Sequence, residues 1–210
     1  ILSVGIPSII MSSVGSAMTF GMNKILITFS STAVAVFGVY FKLNSFVFMP
    51  VFGLNNGMVP IVSYNYGAQN KKRLTKTIKL AIMYAVCIMF IGIMLFQFMP
   101  DVLLRLFDAS DHMLEIGIPA LRVISLSFAF AGICIVISSS LQALGHGFLS
   151  MMISITRQLI ILLPSAYILA KIGGIHAVWW SFNIAEIGSL TLSLLFFKHM
   201  YNKIIKHLGE

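Results

Sequence analysis

The sequence is poor in charged residues. Only 10% of its 210 residues are Asp, Glu, Lys or Arg, whereas 59% are hydrophobic, and the mean hydropathy is +0.98. Soluble domains carry about 25% charged residues. A fold with so little charge could not cover its own surface in water, so lipid must cover part of it. The composition therefore predicts a membrane protein and excludes an ordinary soluble domain.

The sequence also lacks the motifs of several functional classes. Its two cysteines, Cys87 and Cys134, lie inside apolar runs, which favours buried thiols over a disulfide framework. The five histidines are scattered, and neither a metal-binding motif nor a GxxxxGK[ST] phosphate loop is present. We therefore predict a protein that is not an enzyme and that binds no metal or cofactor. The net charge of +8 could indicate nucleic acid, but the basic residues lie between apolar segments, so we expect membrane topology and no nucleic-acid partner.

Long apolar segments dominate the chain. A membrane-spanning helix needs about 20 mainly apolar residues. Six segments reach this length, at approximately 5–29, 33–62, 77–99, 117–144, 150–170 and 176–197. Polar residues do not alternate at period two, as the strands of a barrel require. The sequence predicts an all-α membrane protein whose single domain, 1–210, has six transmembrane helices and ends in a basic cytoplasmic tail at 198–210.

The distribution of charge predicts an orientation in the membrane. If the helices alternate in direction, the basic residues of 71–79, Arg157 and the lysines of the tail fall on one side of the bilayer. The acidic residues of 101–115 fall on the other side. Cytoplasmic loops are enriched in Lys and Arg. We therefore predict a multi-pass protein of the plasma or inner membrane with both termini in the cytoplasm.

Polar and small residues recur every three or four positions inside three of the segments, which places them on one face of each helix. The faces comprise Ser8, Ser12, Ser16, Thr19 and Asn23, then Ser127, Ala131, Cys134, Ser138 and Gln142, then Asn183, Glu186, Ser189 and Ser193. Such faces either pack against other helices or line a polar cavity. The amides of Asn23 and Gln142 favour a cavity, because an amide has more hydrogen-bonding capacity than a hydroxyl. Both interpretations stay open from the spacing alone.

Three charged residues, Lys24, Lys42 and Glu186, fall inside predicted spans. Ionisable residues at membrane depth are functional candidates, and Glu186, the only carboxylate there, could bind and release a proton. The alternatives are a structural pairing of Glu186 with a lysine or a serine, and snorkelling of the lysines. Arg122 and Arg157 lie near predicted helix ends, where headgroup or capping contacts suffice. The candidate cavity residues are Asn23, Lys24, Lys42, Asn44, Asn55 and Gln142, with Glu186 as the candidate for proton coupling.

Several motifs carry a family resemblance. The run Asn-Tyr-Gly-Ala-Gln-Asn-Lys-Lys-Arg at 65–73, with the preceding segment 37–54, resembles the region between the second and third helices of a lobe in multidrug and toxic compound extrusion (MATE) transporters. The segments 121–122 and 141–145 are similar to the fourth helix of such a lobe and its exit. Further matches fall at Gly5-Ile6-Pro7-Ser8, Arg157-Gln158, Pro164, Gly173-Gly174, Trp179 and Glu186. The resemblance covers essentially the whole chain.

The resemblance implies a fold and an activity. MATE proteins have twelve helices in two related six-helix lobes, and six helices followed by a basic tail resemble the C-terminal lobe. The implied function is efflux of cationic or amphipathic drugs by antiport with H⁺ or Na⁺. The drug cavity would lie against an N-terminal lobe, which is an implied partner and which this chain does not contain. Some members carry a coupling carboxylate in the fourth helix of this lobe, but residues 131–132 here are Ala and Gly. By the same analogy, Glu186 lies in a peripheral last helix.

Two other functions remain open. A lipid-linked oligosaccharide flippase of a related fold would share the architecture and would need a more cationic cavity, for which Lys24 and Lys42 are candidates. A membrane scaffold that transports nothing is the second alternative. The chain begins at Ile1 without a starting Met, and we expect it to be a piece of a longer protein.

Overall fold

The computed structural model describes residues 2–208, and the side chains of residues 6–208 except Ser8. Within this part every regular element is helical and no strand is present, so the predicted all-α class is confirmed. The helices are α1 (Leu2–Leu26), α2 (Ser31–Gly67), α3 (Lys71–Phe98), α4 (Pro100–Arg105), α5 (Asp111–Ser125), α6 (Phe128–Ala143), α7 (Gly147–Ile155), a π-helix (Thr156–Leu162), α8 (Leu163–Val178), α9 (Trp180–Lys203) and a 3₁₀ turn (Ile205–His207).

Four helices of the described part are long and apolar enough to cross a membrane. They are Ser31–Gly67, Lys71–Phe98, the run Gly147–Val178, and Trp180–His207, and the bent pair Asp111–Ser125 and Phe128–Ala143 would make a fifth. The first predicted span, 5–29, overlaps α1 but is shifted from it by three residues, since α1 runs from Leu2 to Leu26. At 1.5 Å per residue its 25 residues reach about 37 Å. Many large apolar side chains, such as Phe20, Phe46 and Phe98, are exposed on the outside of the bundle, where lipid would cover them.

The helix starts follow capping signals in the sequence. The hydroxyl of Ser30 accepts a hydrogen bond from the backbone N–H of Ala33 at 3.0 Å, and the Asn70 side chain accepts one from Arg73 at 3.1 Å. Both side chains satisfy an N–H group that the first turn of a helix leaves unpaired. α2 continues to Gly67, five residues beyond the predicted limit, and the chain turns at 68–70.

The fourth predicted span, 117–144, is two helices. α5 and α6 meet at Leu126–Ser127 with a bend of 50°. Ser125 and Ser127 donate their hydroxyls to the carbonyls of Arg122 and Ile124, at 3.0 and 2.7 Å. Serine hydroxyls that bond backbone carbonyls three residues earlier compete with the helical pattern, which accounts for the bend at this point.

The fifth predicted span belongs to a longer helical run with two irregularities. Seven residues, Thr156–Leu162, form a π-helix, and Gly174 adopts φ 64° and ψ −160° inside α8. Pro164 follows the π-helix and has no backbone N–H group, so it cannot continue the regular pattern of helical hydrogen bonds. The hydroxyl of Ser165 donates to the carbonyl of Ile161 at 2.6 Å, which satisfies one of the carbonyls in this irregular stretch.

α6 is the central helix, because it packs against α2, α3, α7 and α9. The core contains the fully buried rings of Phe37, Phe96, Phe128 and Trp179. The segment predicted as a basic tail, 198–210, is helical through Lys203 and then packs back on the bundle, with the side chains of Ile205 and Leu208 buried.

Candidate functional site

A cavity of about 610 Å³ opens on one side of the bundle between α1, α2, α6, the π-helix and α9. Its polar and small lining residues include Ser12, Ser16 and Thr19 of α1, Ser127, Ala131, Cys134, Ser138 and Gln142 of α6, and Glu186 and Ser189 of α9. The five predicted positions of the face on α6 all line it. For these residues the structure favours the cavity interpretation of the polar faces over the packing interpretation.

Other members of the predicted faces pack against neighbouring helices instead. Asn183 is buried and its amide donates to the carbonyl of Val123 at 2.8 Å, which ties α9 to α5. Ser193 is also buried, outside the cavity lining. The side chain of Ser8 lies outside the described residues. The packing interpretation holds for Asn183 and Ser193.

Three of the seven candidate site residues, Asn44, Gln142 and Glu186, line the cavity. The amide nitrogen of Gln142 donates to the hydroxyl of Ser150 at 2.8 Å, and Ser150 also forms a hydrogen bond with Ser138. Gln142 is therefore held by α7. By contrast, the side-chain oxygen of Asn44 is buried and has no hydrogen-bond partner among the described residues. A rotation of this side chain towards the cavity would let the oxygen accept a hydrogen bond from a bound molecule.

The four remaining candidates do not line the cavity, which corrects the prediction for them. On α2 the lining positions include 40, 41, 44, 45 and 48, and Lys42 falls out of phase with them; it is exposed, with Nζ 5.7 Å from the centroid of the Phe107 ring. Asn23 and Lys24 lie about one turn beyond the last lining residue of α1, and Lys24 is exposed. Asn55 is only 5% exposed and packs inside the bundle about one turn beyond the lining part of α2.

The central charged group of the cavity is an ion pair. Arg157 Nη1 lies 3.1 Å from Glu186 Oε1, and the two side chains are 26% and 12% exposed. The other oxygen, Glu186 Oε2, is buried and has no hydrogen-bond partner in the described part of the chain. The expectation that Arg157 makes headgroup or capping contacts near a helix end is thus wrong, and the partner of Glu186 is neither the lysine nor the serine considered as alternatives.

The π-helix explains how Arg157 reaches the cavity. Short π-helical segments are rare and often occur at functional sites. This one carries Arg157 and Gln158, and both line the cavity. One feature of the sequence favours this geometry: a strongly basic residue and an amide precede Pro164 within an otherwise apolar run.

Aromatic rings form much of the remaining wall. Tyr40 and Phe182 meet edge to face with centroids 5.7 Å apart, and Phe48 meets Phe128 in the same way at 5.3 Å. All four residues line the cavity. Aromatic faces offer large apolar contact area and attract cations through their π-systems. The cavity therefore combines aromatic surface, small hydroxyl groups, the side-chain amides of Asn44, Gln142 and Gln158, and one paired carboxylate.

The sequence is similar to known proteins. The family model MatE matches residues 7–168 of this chain. Multidrug export protein MepA of Staphylococcus haemolyticus (strain JCSC1435) is 27% identical over 209 residues, which are 97% of this chain and 45% of the relative. MepA of Staphylococcus aureus (strain MSSA476) is 30% identical over 187 residues, 89% of this chain and 41% of the relative. The chain thus spans less than half the length of these curated relatives.

The fold is similar to solved structures. An outward-facing and an inward-facing conformation of a multidrug resistance MATE family transporter of the MOP superfamily both match with a TM-score of 0.91, at 23% and 22% identity. Each match covers 98% of this chain, and 47% and 48% of those chains respectively. The bent form of the Vibrio cholerae MATE transporter VcmN matches with a TM-score of 0.90 at 17% identity, over 96% of this chain and 46% of that chain. At these identities the likeness shows the fold, which is that of about half of such a transporter.

Proposed function

The chain belongs to the multidrug and toxic compound extrusion family, MatE, and we propose that it is the C-terminal six-helix lobe of a secondary multidrug exporter. The observation that carries the proposal is the cavity of about 610 Å³, with its aromatic and small polar walls. Drug-sized ligands bind in cavities of about 300–1,000 Å³ that combine apolar walls with a few polar groups. An N-terminal lobe would face this cavity and complete the drug site. The exporter would lie in the plasma or inner membrane, with both termini of this chain in the cytoplasm.

The charge of the cavity favours cationic or amphipathic drugs over lipid-linked pyrophosphates. Arg157 and Glu186 neutralise each other across 3.1 Å. Lys24 and Lys42, on which the flippase alternative depended, do not line the cavity. A wall without net positive charge offers a pyrophosphate little attraction, whereas the rings of Tyr40 and Phe182 can stack on a flat cation.

Glu186 is the group that we propose for coupling, with H⁺ as the ion. With Glu186 ionised, the ion pair leaves the cavity wall neutral. When Glu186 takes up a proton, Arg157 becomes an uncompensated positive charge in the wall and repels a cationic drug. Binding of a proton and binding of a cationic drug therefore oppose each other, which is the requirement for antiport. Na⁺ remains the alternative ion.

Transport in vesicles tests this proposal. We expect the protein at its natural full length to move a fluorescent lipophilic cation against its gradient when a proton gradient is imposed, and not when only a sodium gradient is imposed. Vesicles without either gradient, and an anionic dye of similar size, are the controls. Movement driven by sodium alone would contradict proton coupling. No movement under either gradient would contradict the export function itself.

The free oxygen of Asn44 gives a prediction about substrate affinity. Asn44→Leu keeps the branched shape of the side chain and removes the acceptor, so a drug that carries an N–H group should bind about tenfold more weakly, as expected for one lost hydrogen bond. Tetraphenylphosphonium, which has no N–H, should bind with unchanged affinity. Asn55→Leu is the matched control, because Asn55 lies in the same helix and outside the cavity lining. An equal loss for both ligands would contradict a hydrogen bond from Asn44.

A further inference from the structure

A second, smaller groove lies between the first half of α3 and the end of α9. Its volume is about 230 Å³. Its lining residues are Leu74, Thr75, Ile78, Lys79 and Ile82 from α3, and Phe197, Tyr201 and Ile205 from the C-terminal segment. Leu74 and Ile205 are buried at its floor. The groove is therefore an apolar channel along two helices, and Lys79 is the only charged residue in its lining.

Basic residues are concentrated in the two segments that form this groove. The first nine residues of α3, 71–79, contain Lys71, Lys72, Arg73, Lys76 and Lys79, and the C-terminal segment contains Lys198, Lys203 and Lys206. Lys71 Nζ donates a hydrogen bond to the backbone carbonyl of Lys206 at 2.7 Å. This contact joins the two basic segments at one end of the bundle.

No carboxylate in the described part of the chain compensates this charge. Four of the five acidic residues there lie at 101–115, beyond the opposite end of α3. Because α3 has 28 residues, its two ends are about 40 Å apart. The fifth, Glu186, is paired with Arg157. Clustered positive charges without counter-charges repel one another, so an anion bound among them is stabilising.

We propose that this groove binds an anionic phospholipid. Its phosphate would lie between Lys71 and Lys79, which share one face of α3, and one acyl chain would lie against Ile82, Phe197 and Tyr201. The spacing fits such a ligand, because the groove lining on α3 extends from Leu74, about one turn after Lys71, to Ile82, over about 12 Å along the helix. Basic pockets between transmembrane helices are suited to anionic lipid headgroups, and the aliphatic stem of Lys79 can lie along the groove while its ammonium group reaches the headgroup level.

The apolar lining favours a lipid over a soluble phosphate. A free phosphate could interact with the lysines but would leave the surfaces of Phe197 and Tyr201 uncovered. A phospholipid would interact with both, because its phosphate would lie near the lysines and its acyl chain would cover the apolar side chains. Binding here is independent of the large cavity, since the residues lining the two are different.

Lipid binding to the purified protein tests the proposal. In neutral detergent, the protein at its natural full length should bind fluorescent phosphatidylglycerol at least tenfold more tightly than phosphatidylcholine. Lys79→Gln should weaken the binding of phosphatidylglycerol about fivefold, and the double variant Lys71→Gln/Lys79→Gln about 25-fold, as expected for one headgroup contact per lysine. Ile82→Trp, which fills the groove and keeps every charge, should also abolish tight binding.

Controls separate this site from a diffuse electrostatic effect. Arg73→Gln removes one positive charge at the same end of α3, from an exposed residue that lies outside the groove lining and about 120° around the helix from Lys79, and should change the affinity less than twofold. Thermal unfolding of each variant without added lipid checks that the fold is intact. Equal losses for Arg73→Gln and Lys79→Gln, or unchanged binding by Ile82→Trp, would overturn the proposal. So would glycerol phosphate that binds as tightly as phosphatidylglycerol, because no acyl chain would then be needed.

Discussion

Replacement of Arg157 by methionine is expected to lower the free energy of unfolding by about 3 kcal/mol, because it leaves a carboxylate without its counter-charge in a largely buried position. Glu186 is only 12% exposed, and its second oxygen has no hydrogen-bond partner among the residues described. Glu186→Gln leaves the guanidinium of Arg157 unpaired and should also destabilise the protein, although less, since Arg157 is 26% exposed. Unfolding in detergent measures both effects, with the exposed residue Arg122 as the control through Arg122→Met.

The double variant Arg157→Met/Glu186→Gln separates the structural role from coupling. It removes both charges, and replacement of a buried ion pair by neutral groups is often close to neutral in stability. We therefore expect it to unfold at nearly the wild-type temperature while proton-driven transport is lost. A double variant that still transports the lipophilic cation under a proton gradient would contradict the role of Glu186. A stable Arg157→Met protein would contradict the ion pair.

The existence of the helices could be predicted from the sequence, because a bilayer requires apolar segments of a minimum length and the caps at Ser30 and Asn70 have recognisable residues. The irregularities could not be predicted. The bend at Ser127 depends on which carbonyl its hydroxyl selects. The π-helix before Pro164 depends on packing around the cavity, and the same proline could have produced an ordinary kink.

The candidate site was predicted in part. A spacing of three or four residues determines which side chains share a helix face, so the common face of the residues from Ser127 to Gln142 could be predicted from the sequence. Whether that face packs against a helix or lines a cavity could be decided only from the structure. Spacing does not determine how far a cavity extends along a helix or how the helix is rotated towards it. The polar spacing of α1 therefore wrongly predicts that Asn23 lines the cavity, and position within a predicted span wrongly predicts the same for Lys42 and a helix-end role for Arg157. The partner of Glu186 is 29 residues away along the chain, and only the fold brings the two together.

Replacement of glycine by alanine is expected to change the free energy of unfolding in opposite directions at two helical glycines, Gly92 and Gly53. Gly92 of α3 faces Val47 of α2, and a Cβ atom added at Gly92 would clash with Val47 Cγ1. Valine is stiff at χ1, so the helices themselves must move apart. Gly53 of α2 has no atom within 4 Å of an added Cβ. Alanine normally stabilises a helix by about 1 kcal/mol relative to glycine, so Gly53→Ala should raise the free energy of unfolding, whereas Gly92→Ala should lower it by about 2 kcal/mol through overpacking.

Removal of the opposing atom should rescue the second variant. Without Val47 Cγ1, the contact of an added Cβ at Gly92 with Val47 Cβ is 3.4 Å, which is an ordinary van der Waals separation. Val47→Ala/Gly92→Ala should therefore be about 2 kcal/mol more stable than the sum of the two single effects, because the overpacking disappears. The free energies of unfolding of the wild type, the two single variants and the double variant, measured in detergent, complete the double-mutant cycle. Additive effects would mean that α2 and α3 do not approach each other at Gly92 in the folded protein, and a destabilised Gly53→Ala would mean that Gly53 faces a packed surface rather than open space.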